Sequence, residues 1–148
     1  MTEERKIRFL LVADTPGHTT GYYVVARALR EAGIEVILGG FQQPSGMVEA
    51  AAQEDVDYIG YRIMDREPRL VVSLLMERLK ERGLEHVKVV VGGIIPRQDV
   101  PKLKAMGVGE VFRPGAKLTD IVAYVKGHAP GSAGSSQRSP NCAADDQR

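Results

Sequence analysis

The 148-residue sequence has no tryptophan and a single cysteine, Cys142, so no disulfide can form within the chain. It has no charge imbalance: 20 Lys and Arg stand against 19 Asp and Glu, a formal net charge of +1. That leaves no electrostatic case for nucleic acid or an anionic membrane surface as a partner. No apolar run comes near the ~20 residues that a membrane-crossing helix needs. The first residues, Met1-Thr2-Glu3-Glu4-Arg5-Lys6, are charged and lack the apolar centre of a secretory signal. Together these absences predict a cytoplasmic chain with no nucleic-acid and no membrane partner. The remaining composition, 43% apolar and 26% charged, is that of a globular domain long enough to bury a substantial core.

The apolar residues fall into five short runs separated by helical patterns. Residues 7–13, 34–38, 58–64, 87–91 and 111–112 read as strands, apolar or β-branched almost throughout, as in a sheet buried on both faces. Residues 22–31, 45–54, 70–82, 100–106 and 118–126 read as helices. Val24, Val25, Ala28 and Leu29 mark the inner face of the first helix. Ser45 is the expected N-cap of the second, with Met47, Val48 and Ala51 turned inward. Leu70, Leu74, Leu75 and Leu79 mark the inner face of the third. Gly33, Gly83 and Gly107 close three of these helices, Gly33 as a left-handed cap. From Gly127 to Arg148 the periodicity stops and Gly, Ser, Ala, Pro, Asn, Asp and Gln take over. Such a segment cannot offset its ordering entropy. The expected organisation is one domain over residues 1–126 and a disordered tail over 127–148. Cys142 and His128 fall at or in that tail and are set aside as ligands.

Five βα units imply a parallel sheet covered by helices on both faces. Right-handed crossovers leave few topologies, and the common small one has strand order 2-1-3-4-5. Its switch point lies between strands 1 and 3, and ligands bind outside the carboxyl ends of the strands there. The loop after strand 1 carries Pro16-Gly17-His18-Thr19-Thr20-Gly21. An imidazole at that rim can ligate a metal or move a proton; as a plain helix-capping turn, the same segment would merely expose it. The loop after strand 3 runs from Arg62 to Arg69, and Gly92-Gly93 follows strand 4 on the same rim. Tyr22 and Tyr23, just beyond the His18 loop, offer aromatic faces with polar tips, or simply the half-buried first turn of a helix.

Four stretches of the chain carry a family resemblance. They are Val24-Val25-Ala26-Arg27-Ala28-Leu29-Arg30-Glu31-Ala32-Gly33, Gln53-Glu54-Asp55-Val56-Asp57, Val89-Val90-Val91-Gly92-Gly93-Ile94-Ile95-Pro96 and Gly107-Val108-Gly109-Glu110-Val111-Phe112. With them, residues 6–126 resemble the cobalamin-binding domain of the acyl-CoA mutases, above all the separate small subunits of the methylmalonyl-CoA and 2-hydroxyisobutyryl-CoA mutases. The resemblance implies a flavodoxin-like fold, adenosylcobalamin as cofactor and a large catalytic mutase subunit as partner. This chain has no barrel of its own to hold a substrate, so no catalytic residue is assigned to it.

The family motif is D-x-H-x-x-G, whose His takes the lower axial position on cobalt in place of the cofactor's own dimethylbenzimidazole. The resemblance therefore assigns the metal to His18 and cofactor contacts to Gly17, His18, Thr19, Thr20 and Gly21. It assigns further contacts to Arg62 and Met64, at the family's Ser-x-Leu, and to Gly92 and Gly93, where the nucleotide tail passes close to the backbone. Two positions depart from the family. Pro16 stands where the motif has Asp, and Arg62 stands where it has Ser. Asp14 is the nearest substitute acceptor for the His18 ring, and Asp65 or Glu67 the nearest carboxylates for Arg62. Without the motif's Asp, and with a guanidinium in the tail's slot, the isolated chain is expected to bind cobalamin weakly or not at all. Two other outcomes stay open from the residues: a divergent homologue that binds another ligand or partner, and a cobalamin carrier or sensor without catalysis.

Overall fold

The computed structural model describes residues 6–17 and 19–128. Strand β1 (Arg8–Ala13) leads through a short loop to helix α1 (Thr19–Glu31). Strand β2 (Glu35–Phe41), helix α2 (Pro44–Glu54), strand β3 (Tyr58–Ile63) and helix α3 (Pro68–Glu81) follow. Strand β4 (Lys88–Gly93), helix α4 (Val100–Ala105), strand β5 (Glu110–Phe112) and helix α5 (Leu118–Gly127) complete the alternation. All pairings are parallel, and the strands lie in the order β2-β1-β3-β4-β5, as the sequence predicts.

The alternation of each strand sorts its side chains onto two faces. Leu10, Val12, Ile59, Tyr61, Ile63, Val89 and Val91 meet α2, α3 and α4 in one buried cluster. Phe9, Leu11, Ala13, Tyr58 and Val90 meet α1 and α5 in the other. Gly60 belongs to this second face, where the Phe9 ring lies close over it, and a side chain there would collide with the ring. The Tyr58 hydroxyl donates to the Val125 carbonyl at 2.9 Å and so ties α5 to the centre of the sheet.

Local chemistry moves several element boundaries. Pro44 and Pro68 sit in the first turns of α2 and α3, where a missing N–H costs nothing. The helices therefore start ahead of the expected positions, and Gln43 rather than Ser45 is the N-cap of α2, with no side-chain bond. In α3 the inward face is Val71, Val72, Leu75 and Leu79, whereas Leu70 is 56% and Leu74 39% exposed. In α1 it is Tyr22, Ala26 and Leu29, and Val24 is 43% exposed. Helix α5 continues to Gly127, and His128 folds back on it, its ring stacked on Tyr124 at 4.0 Å. The expected tail from residue 129 onward, with Cys142, lies outside the described residues. No helix among the described residues is long and apolar enough to cross a membrane.

Candidate functional site

The loops after β1 and β3 meet at the carboxyl edge of the sheet, and two charged side chains join them. Asp14, 2% exposed, directly follows β1. Its carboxylate accepts the backbone N–H groups of Met64 (2.9 and 3.0 Å), Asp65 (2.9 Å) and Arg66 (2.8 Å). One buried carboxylate thus holds the whole turn that follows β3, in charge-assisted bonds of the stronger kind. Its nearness also adds to burial, the larger cause, in pushing the Tyr61 hydroxyl up to about 12.

Arg62 reaches the opposite way. Its guanidinium Nη2 donates to the carbonyls of Gly17 (2.7 Å) and Thr15 (3.1 Å) and lies 3.4 Å from the Thr15 hydroxyl. The guanidinium carbon sits 5.9 Å from the centre of the Tyr22 ring, within cation–π range. Tyr22 is buried, donates its hydroxyl proton to the Leu11 carbonyl (2.9 Å) and accepts from the Gly40 N–H (2.8 Å). Burial raises its hydroxyl above the ordinary tyrosine range. Tyr23 packs edge-on against Tyr22 and is itself 55% exposed.

Below Arg62 a cavity of about 560 Å³ opens between the sheet and helices α1 and α5. Phe9, Leu11, Gly60 and Val90 form its floor, Val24, Val25 and Ile121 line it from the helices, and Thr20, Gly21, Arg62, Met64, Gly92, Gly93 and Ile94 surround it at the edge. Concave, mostly apolar space with a few polar groups at the switch point is the usual setting of a ligand. Gly93 is fixed by the backbone: its φ is +112°, and a Cβ there would collide with the Ile63 carbonyl. At Gly92 the nearest atom to an added Cβ, the Phe112 carbonyl, is 3.4 Å away, so its hydrogen leaves room toward the cavity.

Of the residues singled out in the sequence, Thr20, Gly21, Arg62, Met64, Gly92 and Gly93 line one cavity. Thr19 opens α1 and is exposed without lining it, and Gly17 takes part through its carbonyl alone. His18 lies outside the described residues. The Asp14 carboxylate accepts from the 64–66 turn, and its relation to the His18 ring falls outside the described residues. Arg62 bonds to the carbonyls of Thr15 and Gly17, and Glu67, one of the carboxylates expected near it, pairs with Arg69 at 3.4 Å. Missing from the sequence reading is the segment after β5: Arg113, Pro114, Gly115, Ala116 and Leu118 also line the cavity. The rule that points to the loops after β1, β3 and β4 points equally to this one, and its Pro-Gly pair marks it as a turn.

Comparison with known proteins agrees with this geometry. Residues 9–123 match the family model described as the B12 binding domain. The chain is 46% identical over 110 residues to a pivalyl-CoA mutase small subunit of Xanthobacter autotrophicus, covering 74% of each chain. It is 38% identical over 112 residues to a 2-hydroxyisobutanoyl-CoA mutase small subunit of Aquincola tertiaricarbonis, covering 74% of this chain and 82% of that one. Among solved structures, a cobalamin-binding protein from Desulfitobacterium hafniense superposes with a TM-score of 0.68 at 16% identity, over 81% of this chain and 57% of that chain, a likeness of fold. With a family model spanning most of the ordered elements, this chain belongs to the B12-binding domain family and is of the acyl-CoA mutase small-subunit type.

Proposed function

We propose that this chain holds adenosylcobalamin for a large acyl-CoA mutase subunit that supplies the substrate barrel. The observation that carries the reading is the apolar cavity at the switch point, rimmed by the loops that the family motif occupies. The residues fit the cofactor's nucleotide tail. Val25, Val90 and Ile121 offer an apolar slot, and Gly92 keeps the wall beside it free of a side chain. His18 would hold the cofactor's metal in this reading, on the strength of its place in the motif. When bound, the cofactor supplies the adenosyl–cobalt chemistry of carbon-skeleton isomerisation.

The chain's own residues do the holding. Asp14 fixes the 64–66 turn, which carries Met64 to the cavity. Tyr22 bridges Leu11 and Gly40 and so pins the first turn of α1, on whose N-terminal side His18 lies in sequence. Pro16 offers no side-chain acceptor to the His18 ring, and losses of this kind weaken metal affinity by about 10- to 100-fold. The isolated chain is accordingly a weak binder, and the large subunit completes the site.

Titration of the full chain with adenosylcobalamin, alone and with a mutase large subunit, tests this. The expected result is a histidine-ligated absorption spectrum that His18→Ala abolishes, and mutase activity only with both chains present. An unchanged spectrum and affinity in His18→Ala would remove the assignment of the metal to His18. Absence of any corrinoid binding in both settings would instead leave the cavity to a different ligand.

A further inference from the structure

We propose that Arg62 is a latch which couples entry of a corrinoid's nucleotide tail to release of the loop that carries His18. The proposal rests on the reading that the cavity receives such a tail. Arg62 is one of the residues surrounding the cavity. The same side chain spans from the end of β3 to the loop after β1, where a single terminal nitrogen holds the carbonyls of both Thr15 and Gly17. Gly17 is the chain neighbour of His18. A tail that enters beside Tyr22, over which the guanidinium lies, meets the latch first.

The arrangement has two discrete positions. With the latch closed, the Thr15 and Gly17 carbonyls are satisfied and the guanidinium stands at the cavity edge. With the latch open, the carbonyls are released to water or to the rearranged loop, and the cavity edge is free. Binding must then supply the difference, so the apparent affinity falls by the fraction of chains that are open. Hydrogen bonds from a charged donor make that fraction small, about one-tenth to one-hundredth. The opposite turn does not share in the motion. Its amides are held by Asp14, which carries no bond to Arg62's side chain in the hydrogen bonds of this site. The latch acts on the Thr15 and Gly17 carbonyls, and it is a specificity device: it acts against a corrinoid that carries a tail and leaves one without a tail unaffected.

The test compares adenosylcobalamin with adenosylcobinamide, which has the same corrin ring and no nucleotide, on the full chain and its Arg62→Ser and Arg62→Lys variants. Arg62→Ser is expected to raise affinity for adenosylcobalamin about 10- to 100-fold. Affinity for adenosylcobinamide should stay level, and Arg62→Lys, which keeps a charge without the planar fork, should fall between. Backbone order parameters and amide exchange in the free protein are read alongside. In Arg62→Ser, order parameters should fall at Thr15 and Gly17, while amide exchange stays slow in the 64–66 turn, which also shows that the variant is folded. An equal gain for both corrinoids, no gain for either, or unchanged order parameters at Thr15 and Gly17 would overturn the latch while leaving the cofactor reading in place. Failure of every variant to bind either corrinoid, with the large subunit present, would overturn the cofactor reading and the latch together.

Discussion

On one face of the sheet, Met47, Val72, Leu75 and Leu103 from three helices close over Leu10, Ile59 and Val89, and none of these residues is more than 1% exposed. On the other face, α1 and α5 stand over Phe9, Leu11 and Val90 with a cavity of about 560 Å³ between helix and sheet. The same five strands supply both faces, and the composition of their side chains is similar. What differs is the covering. Helices α2, α3 and α4 present Val, Leu and Met in a continuous layer. Helix α1 turns Tyr23 outward and brings Val24 only to the cavity edge, and α5 is held by the packing of Ile121, Val122 and Val125 and by the Tyr58 hydroxyl. Interiors close to crystal density when nothing prevents it, and an apolar void forfeits the contacts its walls would make. The contrast teaches that the α2–α4 face is closed by packing, while the α1–α5 face keeps a cavity beside its core, the cavity that the proposed function gives to a ligand.

The sharpest way to break that comparison is to damage the closed face. Leu75 is fully buried at its centre. Leu75→Ala should lower unfolding free energy by about 2–5 kcal/mol, the range for leucine truncation in a close-packed core. Urea unfolding followed by circular dichroism measures it. A loss below the low end of that range would mean that the closed face is less well packed than its burial shows.

Tyr58 tests the join between the two faces. Tyr58→Phe removes the bond to the Val125 carbonyl and should cost about 1 kcal/mol. It also changes the response to alkali. Burial raises the Tyr58 hydroxyl well above the ordinary 10.0, and raises Tyr61 to about 12. The folded chain therefore keeps these protons at pH values where the unfolded chain has lost them, so stability is full below pH 10.0 and falls as pH rises from there toward 12. In Tyr58→Phe the alkaline fall should be shallower. Equal slopes in the two proteins, read as unfolding midpoint against pH, would show that Tyr58 ionises alike in both states.

The contrast between the faces was only half legible in the sequence. Near-continuous apolar runs such as residues 87–91 announce strands buried on both sides, and the strand order and the rim of the switch point follow from them. The helix faces did not follow. Leu70 and Leu74 have the spacing of a buried stripe, but Val71 and Val72 take the core in their place, because both stripes satisfy a 3.6-residue period and only packing against α2 decides between them. Arg62 was legible as an intruder at a family position, and its partners were not. Carbonyls of Thr15 and Gly17 lie some 45–47 residues away along the chain, and a backbone acceptor leaves no mark on residue identity.

Val24 gives the smallest change in stability and separates the two faces most directly. It lines the cavity yet is 43% exposed, so its side chain makes few contacts that folding depends on. Alanine also has the higher helix propensity, which offsets part of the lost burial. Val24→Ala should therefore leave unfolding free energy within about 0.5 kcal/mol of the parent. Its effect belongs to the ligand. The two lost methyl groups correspond to about 1 kcal/mol of apolar contact with whatever fills the cavity, or roughly a fivefold loss of affinity. Leu75→Ala should show the reverse, a large fall in stability and unchanged affinity at temperatures where it remains folded. Paired titrations with adenosylcobalamin, made in the Arg62→Ser background so that binding is strong enough to measure, read both effects. If Val24→Ala lowers stability as much as Leu75→Ala does, or binds as tightly as its parent, then the α1–α5 face is ordinary core and the division between the two faces fails.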